Sequence, residues 1–314
     1  MSALTSILSL TMLAQTVRMS VPYACAAMGG VWSERSGVVN IALEGTLLAS
    51  GFAAVVAHHG SHSPRVGALA ALAAGAAFAL VHALLVVRGR VDAIVSGIAL
   101  NLIAAGGTRF LLRALYDSSS NSPAVQGFQL PWLAPFRSAS GRDLLLRTLL
   151  DPLTILAIVF AAWSAHALFR TRFGLRVRAA GEDPDAAASV GVPVTRVRIW
   201  AVTLGGAIGG LGGAALAFDQ HQFQSGMSGG RGFIALAAVI LSGWRPGRAV
   251  LACLLFAALD ALQIVLQDQA RLPHEVVEMF PYMATLVALM AIGARRKKGA
   301  VEGRPPAGLG KHAA

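Results

Sequence analysis

The chain has 314 residues, of which 55% are apolar and 13% charged, and its 26 basic against 15 acidic residues give a net charge of +11. That length could hold two soluble domains, but so large an apolar excess needs lipid rather than a bigger interior, which argues against them. The basic residues punctuate the ends of apolar runs instead of forming one face, so nucleic acid is excluded as a partner and a polytopic membrane protein is indicated.

At roughly 20 residues per crossing, the apolar runs predict an all-α integral membrane protein of about nine transmembrane helices. The spans fall at 4–31, 38–58, 65–87, 91–115, 149–169, 197–218, 231–244, 248–267 and 279–294, the seventh short enough to be broken or re-entrant. The first run lacks a basic flank and is longer than a cleavable core, so it is expected to stay. The second opens with Ser33 to Gly45, where Asn40 and Glu44 are four apart and would share a helix face. A carboxylate at that depth is costly unless it meets a cavity or a partner. Glu44 therefore reads either as a functional group or as the ion-pair partner of Arg18 in the first span. His58, His59 and His62 sit in a Gly/Ser/Pro loop with no thiolate or carboxylate to fix a metal, and read as solvated. Cys25 and Cys253 fall in apolar runs and read as buried thiols.

Asn101 and Arg109 in the fourth span and Asp260 in the eighth are the other intramembrane polar groups. Asn40, Glu44, Asn101 and Asp260 are the candidates for lining a substrate pathway, with Phe52 or Phe110 for stacking. The 116–148 segment reads as an external loop whose Phe128, Trp132 and Phe136 meet the headgroups.

Residues 170–198 form a polar interlude between two spans. Arg170, Arg172, Arg176 and Arg178 precede the acidic Glu182, Asp183 and Asp185, and Arg196 and Arg198 follow. A short helix is spelled out there: Asp183 can cap it, Pro184 fits its first position, Asp185 suits its positive end and Gly191 can close it. Ala186, Ala187, Ala188, Ser189 and Val190 give a small-residue surface suited to docking in a partner's groove. In the sixth span Gly205-Gly206, Gly209-Gly210 and Gly212-Gly213 let another helix approach closely, with a hinge as the alternative.

Gly226-Met227-Ser228-Gly229 before an apolar run has the form an intramembrane serine protease needs, but the later histidines, His274 and His312, lie in a loop and in the tail. There is no G-x-x-x-x-G-K-[ST] string, so any nucleotide is bound by another subunit. If every span crosses, Arg88, Arg90, the 170–198 arginines, Arg245, Arg248 and the basic run 295–298 share one side, which is then cytoplasmic with the C-terminus. Residues 1–298 read as one transmembrane domain and 299–314 as a disordered cytoplasmic tail.

Three stretches together resemble the permease subunits of bacterial ABC importers for nucleosides, simple sugars and branched-chain amino acids. Asp185, Ala186, Ala187 and Gly191, led by Gly181-Glu182-Asp183-Pro184, are similar to the EAA-type motif that forms the cytoplasmic coupling helix, with Asp for the usual Glu. Ser33 to Gly45 is similar to the SERSGVVNIGLEG string of nucleoside-type permeases, with Ala42 where glycine is usual. Gly230 to Ile240 resembles their GRGFIALAAVIFG, continuing to Trp244 and Pro246.

The resemblance implies a bacterial inner-membrane transporter subunit without catalytic or metal residues of its own. It also implies a cytoplasmic ATPase that holds ATP and Mg, a second and paralogous permease, and an extracytoplasmic solute-binding protein. Asp183, Pro184, Asp185, Ala186, Ala187 and Gly191 would couple to the ATPase. Nucleoside is the implied substrate, with sugar or branched-chain amino acid as alternatives. An ion-coupled carrier working alone through Glu44 or Asp260, and the serine protease, are the readings from other classes.

Overall fold

The computed structural model describes residues 9–128, 141–269 and 304–311, with isolated positions between 279 and 290. The described chain is all-helical: α1 (Leu10–Arg35), α2 (Leu43–Ser61), α3 (Pro64–Ala83, run on by a π-helical turn Leu84–Arg88), α4 (Ala93–Tyr116), α5 (Gly141–Leu149), α6 (Pro152–Arg170), α7 (Arg172–Glu182), α8 (Pro184–Ser189), α9 (Val194–Asp219), α10 (Arg231–Leu241) and α11 (Pro246–Gln269). Among the described residues, five helices are long and apolar enough to cross a membrane: Pro64–Arg88, Ala93–Tyr116, Pro152–Arg170, Val194–Asp219 and Pro246–Ile264. The predicted ninth run, and with it Trp132 and Phe136 of the long loop, falls almost wholly outside the described residues.

The five differ from the nine predicted spans for a physical reason. α1 has 26 residues and is buried without interruption from Ser20 to Glu34. A helix enclosed by protein presents no stripe to lipid, so it can carry Ser20, Ser33 and Glu34 without an apolar surface to offset them. α2 begins at Leu43 rather than 38, and α10 is only 11 residues long. By contrast α4 shows lipid-like side chains outward, with Leu102, Ile103 and Phe110 among the most exposed apolar groups.

α9 is the hub, and its glycines explain how. A Cβ on Gly205 would lie 2.6 Å from the carbonyl oxygen of Gly29 in α1, and one on Gly210 would lie 2.3 Å from that of Ala71 in α3. One on Gly213 would lie 2.5 Å from the carbonyl oxygen of Leu47 in α2. Three helices thus touch α9 backbone to backbone, which only glycine permits. This is the close packing that the paired glycines predict.

The arginine-bearing loops gather at one end of the bundle. There Arg198 of α9 reaches the α1–α2 turn and α7, and Arg35 at the end of α1 reaches the α10–α11 turn. Residues 304–311 lie at the same end instead of trailing away as their composition suggests. Gly308 donates to the Gly181 carbonyl (2.8 Å), Gly310 to that of Gly37 (2.9 Å), and Arg198 donates to the Lys311 carbonyl (2.7 Å).

Gly206→Ala would place a methyl 2.5 Å from the Gly75 carbonyl and closer still to Ala79. Overpacking of this kind costs about 1–3 kcal/mol. A lower unfolding midpoint in detergent is expected for it, against none for Gly107→Ala, whose Cβ would meet open space.

Candidate functional site

The Ser33–Gly45 and Gly230–Ile240 strings, far apart in sequence, form one constellation. The Glu44 carboxylate accepts from the backbone N–H of Gly230 (2.8 Å) and of Gly232 (2.7 Å), and from the Ser228 hydroxyl. These are groups at the N-terminus of α10, which has no side-chain cap of its own because Gly230, at φ +82°, precedes it. A helix start leaves N–H groups without intrahelical partners, and a carboxylate is their best acceptor. Gly232 lies so close to the Glu44 backbone, 2.4 Å from a built Cβ to its nitrogen, that no other residue fits. Ser228, 1% exposed, is therefore partnered by a carboxylate rather than by the histidine a hydrolase would need.

The far end of α10 is held as well. Arg35 donates to the carbonyl of Trp244 (2.9 Å), and the Trp244 indole N–H donates to the buried Glu34 carboxylate. Glu34, Arg35 and Glu44 all come from the same string, so it grips α10 at both ends.

Between those anchors the chain is not helical. Asn40, predicted to share a helix face with Glu44, lies in the non-helical stretch 36–42, where its side chain accepts from the Ala42 N–H (3.1 Å). Irregular backbone at membrane depth must find partners within the protein. The carbonyl of Ser36 accepts from Arg198 (3.0 Å), that of Val38 from Ser33 (2.9 Å), that of Val39 from His82 Nε2 (3.0 Å), and that of Ile41 from Asn101 (2.9 Å). Asn101 also accepts from the Gly45 N–H (2.8 Å), so it bonds the start of α2 on both sides. His82 and Arg198 carry no motif signal; they do this work unannounced by the sequence.

The other candidates have moved apart. Arg18 pairs with Asp219 rather than with Glu44. Asp260 accepts from the Tyr23 hydroxyl in α1. Phe52 is buried edge-on against Phe223 at 5.3 Å, whereas Phe110 is 71% exposed. His58 is buried edge-on against Phe218 rather than solvated.

The polar interlude folds as a helix pair. Thr171 caps α7, and Asp183 caps α8 by accepting from the N–H groups of Asp185 (3.1 Å) and Ala186 (3.0 Å), with Pro184 in the first turn. Val192 donates to the Ala187 carbonyl (3.0 Å) and Gly191 turns the chain at φ +83°. Pro184 and Ala187 are buried, while Asp185, Ala186, Ala188 and Ser189 face out and Val190 is 78% exposed. The helix therefore presents a small, capped tip with an apolar point.

The sequence carrying this geometry matches one family profile. The profile described as "Branched-chain amino acid transport system / permease component" covers residues 12–289. The chain belongs to this family. Similar proteins include a guanosine ABC transporter permease, NupQ, of Bacillus subtilis strain 168, at 34% identity over 92% of this chain and 94% of that one. A nucleoside ABC transporter permease, NupC, of Lactococcus lactis is 36% identical over 86% and 88%. A putative glucose ABC transporter permease of Haloferax volcanii is 31% identical over 87% and 89%. The chain is a permease subunit of an ABC importer and a multi-pass protein of the cell membrane, and it has no ATPase site of its own.

Glu44→Gln would replace one acceptor oxygen with an amide N–H and leave a backbone N–H of α10 unmet, a loss of about 1–3 kcal/mol. Faster hydrogen–deuterium exchange at residues 230–235 of the purified protein is the expected result, with α3 unchanged.

Proposed function

We propose that this chain forms one half of the pathway of a nucleoside importer. Glu44 and Asn101 act by shaping the irregular stretches that border the pathway, and Asn40 acts in the same way within the stretch 36–42. Asp260 holds α11 against α1. What supports the nucleoside reading is that relatives named for guanosine and nucleoside transport match at 34% and 36% identity over most of their length. The SERSGVVNIALEG string adds to this. The glucose permease at 31% identity makes a sugar the second reading.

In this reading the chain lies in a bacterial inner membrane with the arginine-rich end and C-terminus in the cytoplasm, since cytoplasmic loops carry the excess of Lys and Arg. α1 and α2 cross as well, because both are enclosed by crossing helices. A cytoplasmic ATPase that binds ATP and Mg grips α8 through Asp185, Ala186, Ala188 and Val190. Asp183 and Pro184 start that helix, Ala187 anchors it and Gly191 ends it. A solute-binding protein docks on the opposite face, and a second, paralogous permease covers the outward apolar side.

In a strain lacking this chain, uptake of labelled guanosine is expected to fall to background and to return with the gene. Unlabelled cytidine should compete with guanosine, and glucose and leucine should not. Competition by glucose alone would move the assignment to sugars. Gly191→Trp strains the turn at φ +83° and places a large side chain where the Cβ meets nothing within 4 Å, toward the partner surface. It is expected to leave the membrane level of the chain unchanged, to cut guanosine uptake at least tenfold, and to abolish stimulation of ATP hydrolysis by the loaded binding protein.

A further inference from the structure

Resting on the importer reading, we infer that the polar pocket between the end of α4 and the α9–α10 connection is a solute-contact site. The ligand class is a neutral, oxygen-rich solute such as a nucleoside. The pocket has a volume of about 380 Å³ and is lined by Arg109, Ser119, Ser120, Asn121, Gln224 and Ser225. All six are polar. That volume lies within the range of about 300–1,000 Å³ typical of small-molecule sites.

Its depth argues that it faces water rather than lipid. α10 has 11 residues, about 16 Å at 1.5 Å per residue, or roughly half the hydrocarbon thickness of about 30 Å. Its C-terminal end is held at the arginine-rich end by Arg35, so its start lies near mid-depth. The connection from Gln220 to Gly230, made of turns, therefore occupies the outer half of the membrane. Arg109 is seven residues before the end of α4, about 10 Å inward. Irregular backbone and an arginine at that depth are tolerated where they border a water-filled cavity, and acyl chains would penalise both.

The walls are already built. Asn121 and Gln224 form an antiparallel bridge. Ser225 donates to the Ser120 carbonyl (2.8 Å), Ser122 to that of Phe223 (2.9 Å), and Val125 to that of His221 (2.7 Å). Arg109 donates through Nε to the Ser225 hydroxyl (3.2 Å), and among the described residues it pairs with no carboxylate. What the pocket offers is thus one guanidinium, two amides and three hydroxyls. These donate to carbonyl and hydroxyl oxygens and accept from hydroxyl and amine groups. With a lining of polar residues, the site would hold a solute weakly, as a site on a transport pathway must in order to release it.

The test uses the assembled transporter with a Ser120→Cys reporter, whose background is low because Cys25 and Cys253 are both buried. A membrane-impermeant maleimide added from outside is expected to label the reporter, and guanosine to slow labelling at least fivefold where leucine does not. No labelling, or equal labelling with and without guanosine, glucose and ribose, overturns the site. Protection by the unloaded binding protein alone, without any solute, assigns the pocket to docking and also overturns it. Protection by glucose instead of guanosine keeps the site and overturns the nucleoside reading. Arg109→Gln and Gln224→Leu are each expected to raise the apparent KM for guanosine uptake tenfold or more, with Arg109→Lys in between, at unchanged amounts of assembled complex. Wild-type KM values in both would sink the proposal.

Discussion

The contact on which the rest of the molecule depends is the Glu44 carboxylate on the start of α10. A helix that begins inside a membrane exposes backbone N–H groups where no water can reach them, and only an internal acceptor removes that penalty. Glu44 supplies two oxygens for two N–H groups and a hydroxyl. Because the charge is met by the dipole of the helix and by direct hydrogen bonds, no basic residue is needed beside it. This leaves Arg18 free to pair with Asp219 near the other end.

Having a broken helix has consequences for its neighbours. The stretch 36–42 runs without helical hydrogen bonds between the residues that hold the two ends of α10, so Ser33, His82, Asn101 and Arg198 are each committed to one of its carbonyls. α1, enclosed by protein, can then carry Ser20, Ser33 and Glu34, and five of the six paired glycines of α9 have a neighbouring atom within 3.0 Å of where a Cβ would sit. The glycine hub draws the helices together by close backbone contact, which leaves no room at those points for larger side chains.

Much of this was legible in the sequence, for reasons that differ by residue. The α8 helix could be read in full because caps act locally: Asp183, Pro184 and Gly191 do in the fold what their backbone preferences dictate. The α9 glycines announced close packing because nothing else explains three pairs in one span. The role of Glu44 was not legible, since its partners are backbone groups about 186 residues away that no residue type reveals. Asn40 was misplaced because an apolar stretch carries the same composition whether helical or irregular. Gln224 and Asn121 gave no signal, as serine-rich and glycine-rich turns look alike whether they fill space or line it. Arg109 was visible as an intramembrane charge, but its surroundings were not.

At the arginine-rich end the α7–α8 pair, the stretch 36–42 and the α10–α11 turn are joined by direct contacts. Arg198, 3% exposed, donates to the carbonyls of Ser36 and Ala180 and to that of Lys311, joining the 36–42 stretch, α7 and the 304–311 segment in one side chain. Gly181 at the end of α7 lies against Arg35, where a Cβ would be 2.2 Å from its carbonyl oxygen, and Arg35 in turn holds the Trp244 carbonyl beyond α10. On the importer reading, a displacement of α8 cannot be absorbed at this junction, because no compressible side chain separates α7 from α1. It must pass to the α10–α11 turn and the stretch 36–42 together. The turn is the far end of α10 and the stretch leads to Glu44 at its start, so both flank the one helix on which the irregular connection from Gln220 to Gly230 ends.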